Sequence, residues 1–358
     1  MRFALLIPIY QPSELVLPFL KSFSKDDFDE FICVNDGSEE QYDDIWKKVE
    51  EETLFKVLSY KGNKGKGFAL KTGFRYIKEN LDVDYVITAD GDGQHCYEDI
   101  IRMREAAQEH EGDLVIGVRD FTNIPKKSKS GNVWSARYFK LATGKKLTDV
   151  QTGLRAIHKD MFEACLYSVG SRYEYEMNFL MEIARNFPII ELPIQTIYLN
   201  NNADSHFRPV ADSLRFLITP ILYLFVSVSA WGIDCAVFAI LEHTVFIGPG
   251  LFELLYMVLI ARSFSAPYQF FLLRYLVFHT RGKLRENAFK YFILAFVSAF
   301  GSWGLIWFFN YYLKGIGLGM LVYVKMLVDF ILGVIKYFIN LAIIFANKHF
   351  RRKNVSKE

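Results

Sequence analysis

The sequence is poor in cysteine, with four in 358 residues, and no two of them are close together. This scarcity excludes a disulfide framework and a zinc knuckle, because both need closely spaced cysteines. The sequence also lacks the Gly-Lys-Ser/Thr ending of a Walker phosphate loop, which argues against a P-loop protein. A disordered chain is excluded as well, since 51% of the residues are hydrophobic.

Charge of either sign is scarce in the second part of the chain. Residues 1–212 hold 27 basic and 34 acidic side chains, whereas residues 213–358 hold 15 basic and 6 acidic ones. This asymmetry excludes a single homogeneous globule. Because the basic excess lies in the apolar part, it also excludes a nucleic-acid-binding protein of the usual kind, and we expect no nucleic-acid partner.

Four long apolar stretches lie in this second part, at 216–241, 251–278, 289–313 and 320–346. Each is near or above the ~20 residues that cross ~30 Å of hydrocarbon, so they predict four transmembrane helices. The few charges within them should face other helices, water or the interface, because a charge in lipid is costly. These charged residues include Asp234, Glu253, Arg262, Lys325, Asp329 and Lys336.

Lysine and arginine cluster at the entry to the apolar part, in its middle loop and in the tail over 351–358, but are nearly absent from its other two loops. The positive-inside rule then places the N-terminal domain, the middle loop and both termini in the cytoplasm. The sequence therefore predicts a multi-pass protein of the cell membrane in contact with membrane lipids. It leaves open whether a homo-oligomer forms.

Short β-rich runs alternate with amphipathic helical patterns through residues 1–212. This rhythm predicts an α/β domain with a mainly parallel sheet covered by helices on both faces. The candidate strands are Phe3–Ile9, Glu30–Val34, Phe55–Ser59, Tyr85–Ala89 and Leu114–Val118. The candidate helices lie near Ser13–Phe23, Gln41–Glu52, Gly67–Glu79 and Tyr97–His110. Ligands of such sheets bind beyond the carboxyl ends of the strands.

The segment DGDGQH, over Asp90–His95, follows the fourth candidate strand. Two carboxylates two residues apart on a glycine-loosened strand end can bind one hard divalent cation, and Gln94 offers a further oxygen. Oxygen ligands suit Mg²⁺ or Mn²⁺, which also bridge diphosphates. Asp90, Asp92 and Gln94 are therefore the candidate metal ligands. The alternative is an acidic turn, because Asp-Gly pairs are common in turns.

Three other segments carry polar groups that suit a phosphorylated ligand. VNDGS places Asp36 after the second strand, either to accept hydrogen bonds from a ribose or base or to end the strand in a turn. GNKGKGFAL places Lys66 at a glycine-rich helix entry, which can sit near an anion or act as a flexible turn. SHFRPV places Arg208 just before the apolar part, where it can hold phosphates or contact lipid headgroups.

The ordered segments IPIY, VNDGS, GNKGKGFAL, DGDGQH, GVRD, QTGLRAI and SHFRPV resemble family 2 glycosyltransferases with the GT-A fold. Within that family, the chain is most similar to the group of dolichol-phosphate mannose synthase and bacterial polyprenyl-phosphate glycosyltransferases. Residues 216–350 resemble a GtrA-type four-helix membrane domain, which is thought to help move lipid-linked sugars. The resemblance implies a GT-A domain over 1–212 and a GtrA-like domain over 213–350.

The resemblance also implies roles for individual residues. The substrate-binding set is Pro8, Tyr10, Asp36, Lys66, Asp90, Gln94 and Arg208, and the catalytic set is Asp92, Arg119 and Lys129. Arg119 in GVRD would lie near the acceptor phosphate and Arg208 near the donor phosphates. Lys129 stands where relatives often have arginine; it keeps the charge but loses the bidentate geometry. Asn35 replaces the first aspartate of the usual Asp-Asp-Gly-Ser and is given no role.

The reaction implied is an inverting, metal-dependent transfer of one sugar to polyprenyl phosphate, such as undecaprenyl phosphate, for cell-surface glycans. The donor would be a UDP-hexose such as UDP-glucose, or GDP-mannose. The acceptor phosphate is already anionic at neutral pH and needs no general base. His95 is accordingly interpreted as structural. Glu174 and Glu176 either touch sugar hydroxyls or form the polar face of a helix.

Two other functions remain as alternatives. A processive polysaccharide synthase of the same superfamily typically carries Gln-x-x-Arg-Trp and Thr-Glu-Asp motifs, and the sequence has neither. A non-enzymatic flippase for lipid-linked sugars, with a domain that only senses nucleotide, would not need the intact DGDGQH segment. We therefore expect an enzyme.

Overall fold

The structure is a computed structural model that describes residues 1–93, 95–119, 126–195, 209–244, 251–280, 283–312 and 330–344. The chain divides into two compact units, one containing Met1–Asp212 and the other Ser213–His349. The first is an α/β unit and the second is helical.

Within the described residues, seven strands of the first unit form one sheet. They are β1 (Phe3–Ile9), β2 (Glu30–Asn35), β3 (Lys56–Ser59), β4 (Tyr85–Thr88), β5 (Leu114–Arg119), β6 (Arg155–His158) and β7 (Ile189–Ile194). Their order across the sheet is β3-β2-β1-β4-β6-β5-β7. Strand β6 runs antiparallel to both of its neighbours, and every other pair is parallel. The predicted α/β unit with a mainly parallel sheet is confirmed.

The central strands are apolar along their whole length because helices cover both faces of the sheet. All seven residues of β1 and all four of β4 are buried. Such continuous burial is typical of parallel sheets. The covering helices are α1 (Val16–Lys21), α2 (Asp43–Glu52), α3 (Lys66–Asn80), α4 (Tyr97–Glu109), α5 (Lys126–Thr143), α6 (Phe162–Tyr167) and α7 (Glu174–Ile183).

The sequence patterns miss the strands β6 and β7. Strand β6 has only four residues, and two of them, Arg155 and His158, are polar side chains that are nonetheless buried. Strand β7 contains Pro193 and is paired only with β5, at the edge of the sheet. An edge position tolerates proline, which has no N–H to donate, but the same proline hides the strand from pattern analysis.

The reversed direction of β6 brings two distant loops together. Thr88 near the end of β4 lies opposite Arg155 at the start of β6. The hydroxyl of Thr88 donates to the carbonyl of Gly153 at 2.8 Å. As a result, the residues that precede β6 lie at the same edge of the sheet as the residues that follow β4.

The helical unit contains α8 (Pro209–Thr244), α9 (Leu251–Leu272), α10 (Leu284–Tyr312) and α11 (Phe330–Ile344). Among the described residues, one stretch, Leu284–Leu305, is long and apolar enough to cross a membrane. The predicted charges Lys325 and Asp329, the start of the fourth span and the tail lie outside the described residues. The four-pass topology stays a prediction.

Polar side chains lie inside the helical unit, and large apolar ones lie on its surface. The guanidinium of Arg262 pairs with Asp234 at 2.9 Å, and Ser265 donates to the same carboxylate. Tyr291 donates to Gln269 at 2.7 Å, beside a cavity of about 10 Å³. The exposed side chains include Phe225, Phe264, Phe289 and Phe296. The helical unit therefore combines polar contacts between helices with an apolar surface.

Candidate active site

Three loops, which follow β2, β3 and β4, meet at the carboxyl edge of the sheet beside the end of β1. The backbone N–H of Asp36 donates to the carbonyl of Ile9 at 2.9 Å. Gly91 packs on Ile9 so closely that an added Cβ would lie within 3.0 Å of its side chain. A Cβ added to Gly37 would likewise lie within 3.0 Å of the backbone of Gly62, and Gly37 and Gly62 both have positive φ. The loops that carry VNDGS, GNKGKG and DGDG are therefore in contact.

Asp36 is the residue that holds the glycine-rich loop in place. Its carboxylate is 3% exposed and accepts hydrogen bonds from the hydroxyl of Tyr60 at 2.6 Å and the backbone N–H of Lys64 at 2.9 Å. The side chain of Asn63 and the backbone N–H of Gly65 donate to it as well. The structure thus shows Asp36 as a positioning residue for the loop before α3. Its contact with a nucleotide stays a prediction.

The centre of the site is a lysine between two carboxylates. Lys66, the first residue of α3, places its ammonium 2.5 Å from Oδ1 of Asp90 and 2.9 Å from Oε1 of Glu176. Glu176 lies in the first turn of α7 and is 7% exposed. The two helices meet because Gly67 packs against Tyr175, and an added Cβ there would lie within 3.0 Å of the tyrosine.

These groups keep one another charged. Burial opposes the charge on Asp90, but the Lys66 ammonium and His95 hold the pKa of that carboxyl well below its usual range. Burial likewise opposes the charge on Lys66, but Asp90 and Glu176 raise the pKa of its ammonium above the usual value. Asp90 is therefore an anion at neutral pH, as a metal ligand must be.

The surroundings of Asp90 fit a divalent cation. Its Oδ1 is buried and accepts no aligned hydrogen bond, although the Lys66 ammonium lies against it. Gly153 leaves the carboxylate room, since an added Cβ would lie within 3.0 Å of both oxygens. The described residues contain no cluster of three or more His, Cys, Asp or Glu side chains around one point. Mg²⁺ commonly takes one or two carboxylates and completes its shell with water and substrate phosphates, so the residues present fit such an ion.

Arg119 at the end of β5 is held by a buried carboxylate. Its Nε donates to Asp149 at 2.6 Å and its Nη2 donates to the other oxygen at 3.0 Å. The side chain of Asp149 is fully buried and that of Arg119 is 26% exposed. The geometry is bidentate, which fixes the plane of the guanidinium.

We expect Arg119→Lys to lower the free energy of unfolding by about 1 kcal/mol, because lysine keeps the charge but loses one of two hydrogen bonds. Urea unfolding followed by circular dichroism measures the change. Arg102→Lys is the matched control, since Arg102 is more exposed and contacts Asp99 through one nitrogen at 2.8 Å. An equal loss in both variants would contradict the role given to the bidentate pair.

The remaining predicted site residues are placed as follows. Pro8 is buried within β1, Tyr10 follows that strand half-buried, and Asp92 is half-buried in the loop after Asp90. Lys129 lies on α5, but its side chain is outside the described part of the structure, as are Gln94 and Arg208. The structure therefore brings Asp36, Lys66 and Asp90 together, and the functional role of every predicted site residue stays a prediction.

Local sequence patterns assign no role to Gly153 and Asp149, two residues that shape the site, and they leave Glu176 with two interpretations. Gly153 is 63 positions from Asp90, and Glu176 is 110 positions from Lys66. Such contacts have no local signal. Only the segment QTGLRAI pointed to this region, and its glycine was not singled out. His95, interpreted as structural, is 7% exposed and lies 3.5 Å from Asp90.

Residues 4–166 match the model of the family described as Glycosyl transferase family 2. The UDP-N-acetylglucosamine–dolichyl-phosphate N-acetylglucosaminyltransferase of Methanococcus voltae is 31% identical over 214 residues, covering 54% of this chain and 85% of that protein. Glycosyltransferase AglJ of Haloferax volcanii is 25% identical over 214 residues, covering 58% of this chain and 67% of that protein.

Among solved structures, glucosyl-3-phosphoglycerate synthase from Mycobacterium tuberculosis aligns with 62% of this chain and 78% of its own at 14% identity, with a TM-score of 0.43. The family match covers almost all of β1, all of β2 to β6, the three loops and Asp90, and it ends before Glu176 and β7. The α/β unit accordingly has the GT-A fold, and the chain belongs to glycosyl transferase family 2 and is a glycosyltransferase.

Proposed function

We propose that this enzyme transfers one sugar from a nucleotide sugar to the phosphate of a polyprenyl phosphate at a membrane surface. The observation that carries the proposal is the half-buried Asp90 beside the Lys66 ammonium at the carboxyl edge of the sheet. A carboxylate pair for a cation, with a lysine beside it, suits a diphosphate leaving group. The name of the Methanococcus voltae relative, a dolichyl-phosphate sugar transferase, supports the choice of acceptor.

Asp90, Asp92 and Gln94 would hold Mg²⁺ or Mn²⁺ at this edge. The ion would supply positive charge to the leaving diphosphate. Lys66 adds a second cation from the first turn of α3. The role of the chain's own residues is thus to orient the donor and to stabilise the charge that develops as the nucleotide diphosphate leaves.

We assign the binding of both substrates to further residues of the chain. Arg119 and Lys129 would bind the acceptor phosphate, and Arg208 would bind the donor phosphates. Pro8, Tyr10 and Asp36 would shape the nucleotide pocket beyond β1 and β2. The acceptor oxygen is anionic without help from a base, so it attacks the anomeric carbon directly and a single displacement inverts that centre.

We propose a UDP-linked donor. The name of the Methanococcus voltae enzyme supports uridine as the nucleotide and N-acetylglucosamine as one candidate sugar. UDP-glucose and GDP-mannose are the other donors to compare. These sugars differ by single hydroxyl or amide contacts, and a panel of donors separates them.

We also propose that residues 213–350 form a GtrA-like membrane domain that keeps the transferase domain, residues 1–212, at the cytoplasmic face of the cell membrane. The apolar stretch Leu284–Leu305 and the inward-facing polar groups of the helical unit support a membrane location. The division of the chain after Asp212 supports the domain boundary. The lipid-linked product would then serve cell-surface glycans.

The test is product formation by the full chain, purified in detergent, with undecaprenyl phosphate, Mg²⁺ or Mn²⁺, and a panel of UDP- and GDP-sugars. We expect one donor to be converted into a chloroform-soluble phosphate lipid, and chelation of the metal to stop the reaction. Metal-dependent nucleotide binding by folded protein without transfer from any donor would contradict the proposed acceptor.

A further inference from the structure

A divalent cation and the Lys66 ammonium would occupy neighbouring positions on the same carboxylate. The ammonium lies 2.5 Å from Oδ1 of Asp90, and that oxygen accepts no aligned hydrogen bond. The side chains are confined, because Lys66 is 17% exposed and Asp90 is 27% exposed. Two positive charges cannot share this oxygen without strong repulsion.

Glu176 gives the ammonium a second partner that is fixed in place. Its side chain is 9% exposed, and its backbone carbonyl accepts a hydrogen bond from Arg155 at 3.1 Å. The first turn of α3 is fixed to the same region, since the backbone N–H of Phe68 donates to the carbonyl of Ser171 at 2.8 Å. The backbone segments that carry Lys66 and Glu176 are thus each fixed in this region.

Of its two carboxylate partners, the ammonium can release Asp90 at the lower cost in free energy. Asp90 stands on a glycine-rich loop, whereas Glu176 stands on a buried helix. The lysine stem has four methylene groups, so its ammonium can move away from Asp90 and keep its contact with Glu176. A diphosphate arriving at the site would offer the ammonium new oxygens in exchange.

We propose that Lys66, held by Glu176, is the counter-ion of Asp90 in the empty enzyme and makes binding of a divalent cation depend on the nucleotide diphosphate. The proposal rests on the proposed function, because it takes Asp90 as a metal ligand. Without nucleotide, the ammonium occupies Asp90 and repels the metal ion. With nucleotide, the diphosphate draws the ammonium off and brings the metal ion in.

Linkage gives the proposal a second consequence. If the nucleotide raises the affinity for the metal ion, the metal ion must raise the affinity for the nucleotide by the same factor. Lys66 would determine part of this coupling factor. Glu176 would affect the factor indirectly, because it holds the Lys66 ammonium in place. Glu176 is therefore a positioning residue, and its effect should appear in the coupling between the two ligands.

The experiment measures Mn²⁺ binding to the full chain in detergent by electron paramagnetic resonance, with and without UDP, so that no turnover is needed. We expect Lys66→Met to bind Mn²⁺ without UDP roughly tenfold more tightly than the unchanged enzyme, a typical size for coupling between two sites. The factor by which UDP strengthens Mn²⁺ binding should fall. Glu176→Gln should weaken Mn²⁺ binding without UDP, because Asp90 is then the one negatively charged partner left to the ammonium of the described pair.

Lys64→Met is the matched control. Lys64 lies in the same loop, but its ammonium lies over the rings of Phe68 and Tyr60, at 4.7 Å and 5.2 Å from their centroids. Its removal should leave Mn²⁺ affinity without UDP unchanged. Thermal unfolding checks that each variant is folded.

Two outcomes distinguish a failure of the role given to Lys66 from a failure of the proposed metal site. If Lys66→Met binds Mn²⁺ without UDP no more tightly than the unchanged enzyme, or no more tightly than Lys64→Met, the role given to Lys66 is wrong. If the unchanged enzyme binds no Mn²⁺ even with UDP, the metal site of the proposed function fails instead.

Discussion

Asp90→Asn is expected to lower the rate of sugar transfer by about a hundred- to a thousandfold and to abolish metal-dependent nucleotide binding, while the enzyme stays folded. The amide keeps the shape of the side chain but loses the negative charge that faces Lys66 and the metal position. The charge on a leaving diphosphate would then be stabilised by fewer fixed groups. Transfer to undecaprenyl phosphate, measured with radiolabelled donor, and UDP binding with Mn²⁺ test the two parts.

Asp82→Asn is the control for this prediction. Asp82 is 91% exposed and lies 3.9 Å from Arg2, in the loop before β4. Its loss should leave transfer within about twofold, since surface substitutions away from special features have small effects. Full transfer by Asp90→Asn would remove the cation site from the mechanism.

Gly153→Ala should cost about a hundredfold in transfer although position 153 has no functional group. A Cβ at this position would lie within 3.0 Å of both carboxylate oxygens of Asp90. The side chain of Asp90 can rotate away, so the fold should survive, but the carboxylate would leave its position beside Lys66. Mn²⁺ binding in the presence of UDP and transfer should therefore fall together.

Gly144→Ala controls for the general effect of adding a methyl group. Gly144 has a φ of 75°, so alanine there is strained, yet an added Cβ meets no atom within 4 Å. We expect a loss of about 1 kcal/mol in the free energy of unfolding and no loss of Mn²⁺ binding. If Gly153→Ala behaved like Gly144→Ala in both measurements, the close packing against Asp90 would have no functional effect.

The predicted strands agree with the structure where burial alone determines the pattern. Phe3–Ile9 is apolar at every position, and β1 has the same bounds. The end of β4 was also predictable, because two aspartates and two glycines follow a buried run. Strand β6 was not, since its four residues include two buried polar side chains that only tertiary contacts can accommodate.

In the site, as in the sheet, features that depend on neighbouring residues were predictable, and features that depend on contacts between distant segments were not. Asp90 and Lys66 lie in segments of recognisable composition, and both were predicted as site residues from the sequence. That Lys66 faces Asp90 and Glu176 at once depends on how α3 meets α7, which no spacing along the chain reveals. Asp36 was predicted as a site residue, but its role in holding the glycine-rich loop in place was not predicted. Its carboxylate is shared among donors from Tyr60, Asn63, Lys64 and Gly65.

The position of β6 also bears on how the protein is made. Among the strands that the structure describes, β5 pairs with β6 and β7, both of which are synthesised after it. On the ribosome, β1 to β4 have neighbours available early, whereas β5 must wait for the chain to be made through Arg155–His158. Pairing between distant segments is slow to form. The loop around Gly153 therefore reaches Asp90 late in folding, and a nascent chain contains a partly formed sheet before it contains a catalytic centre.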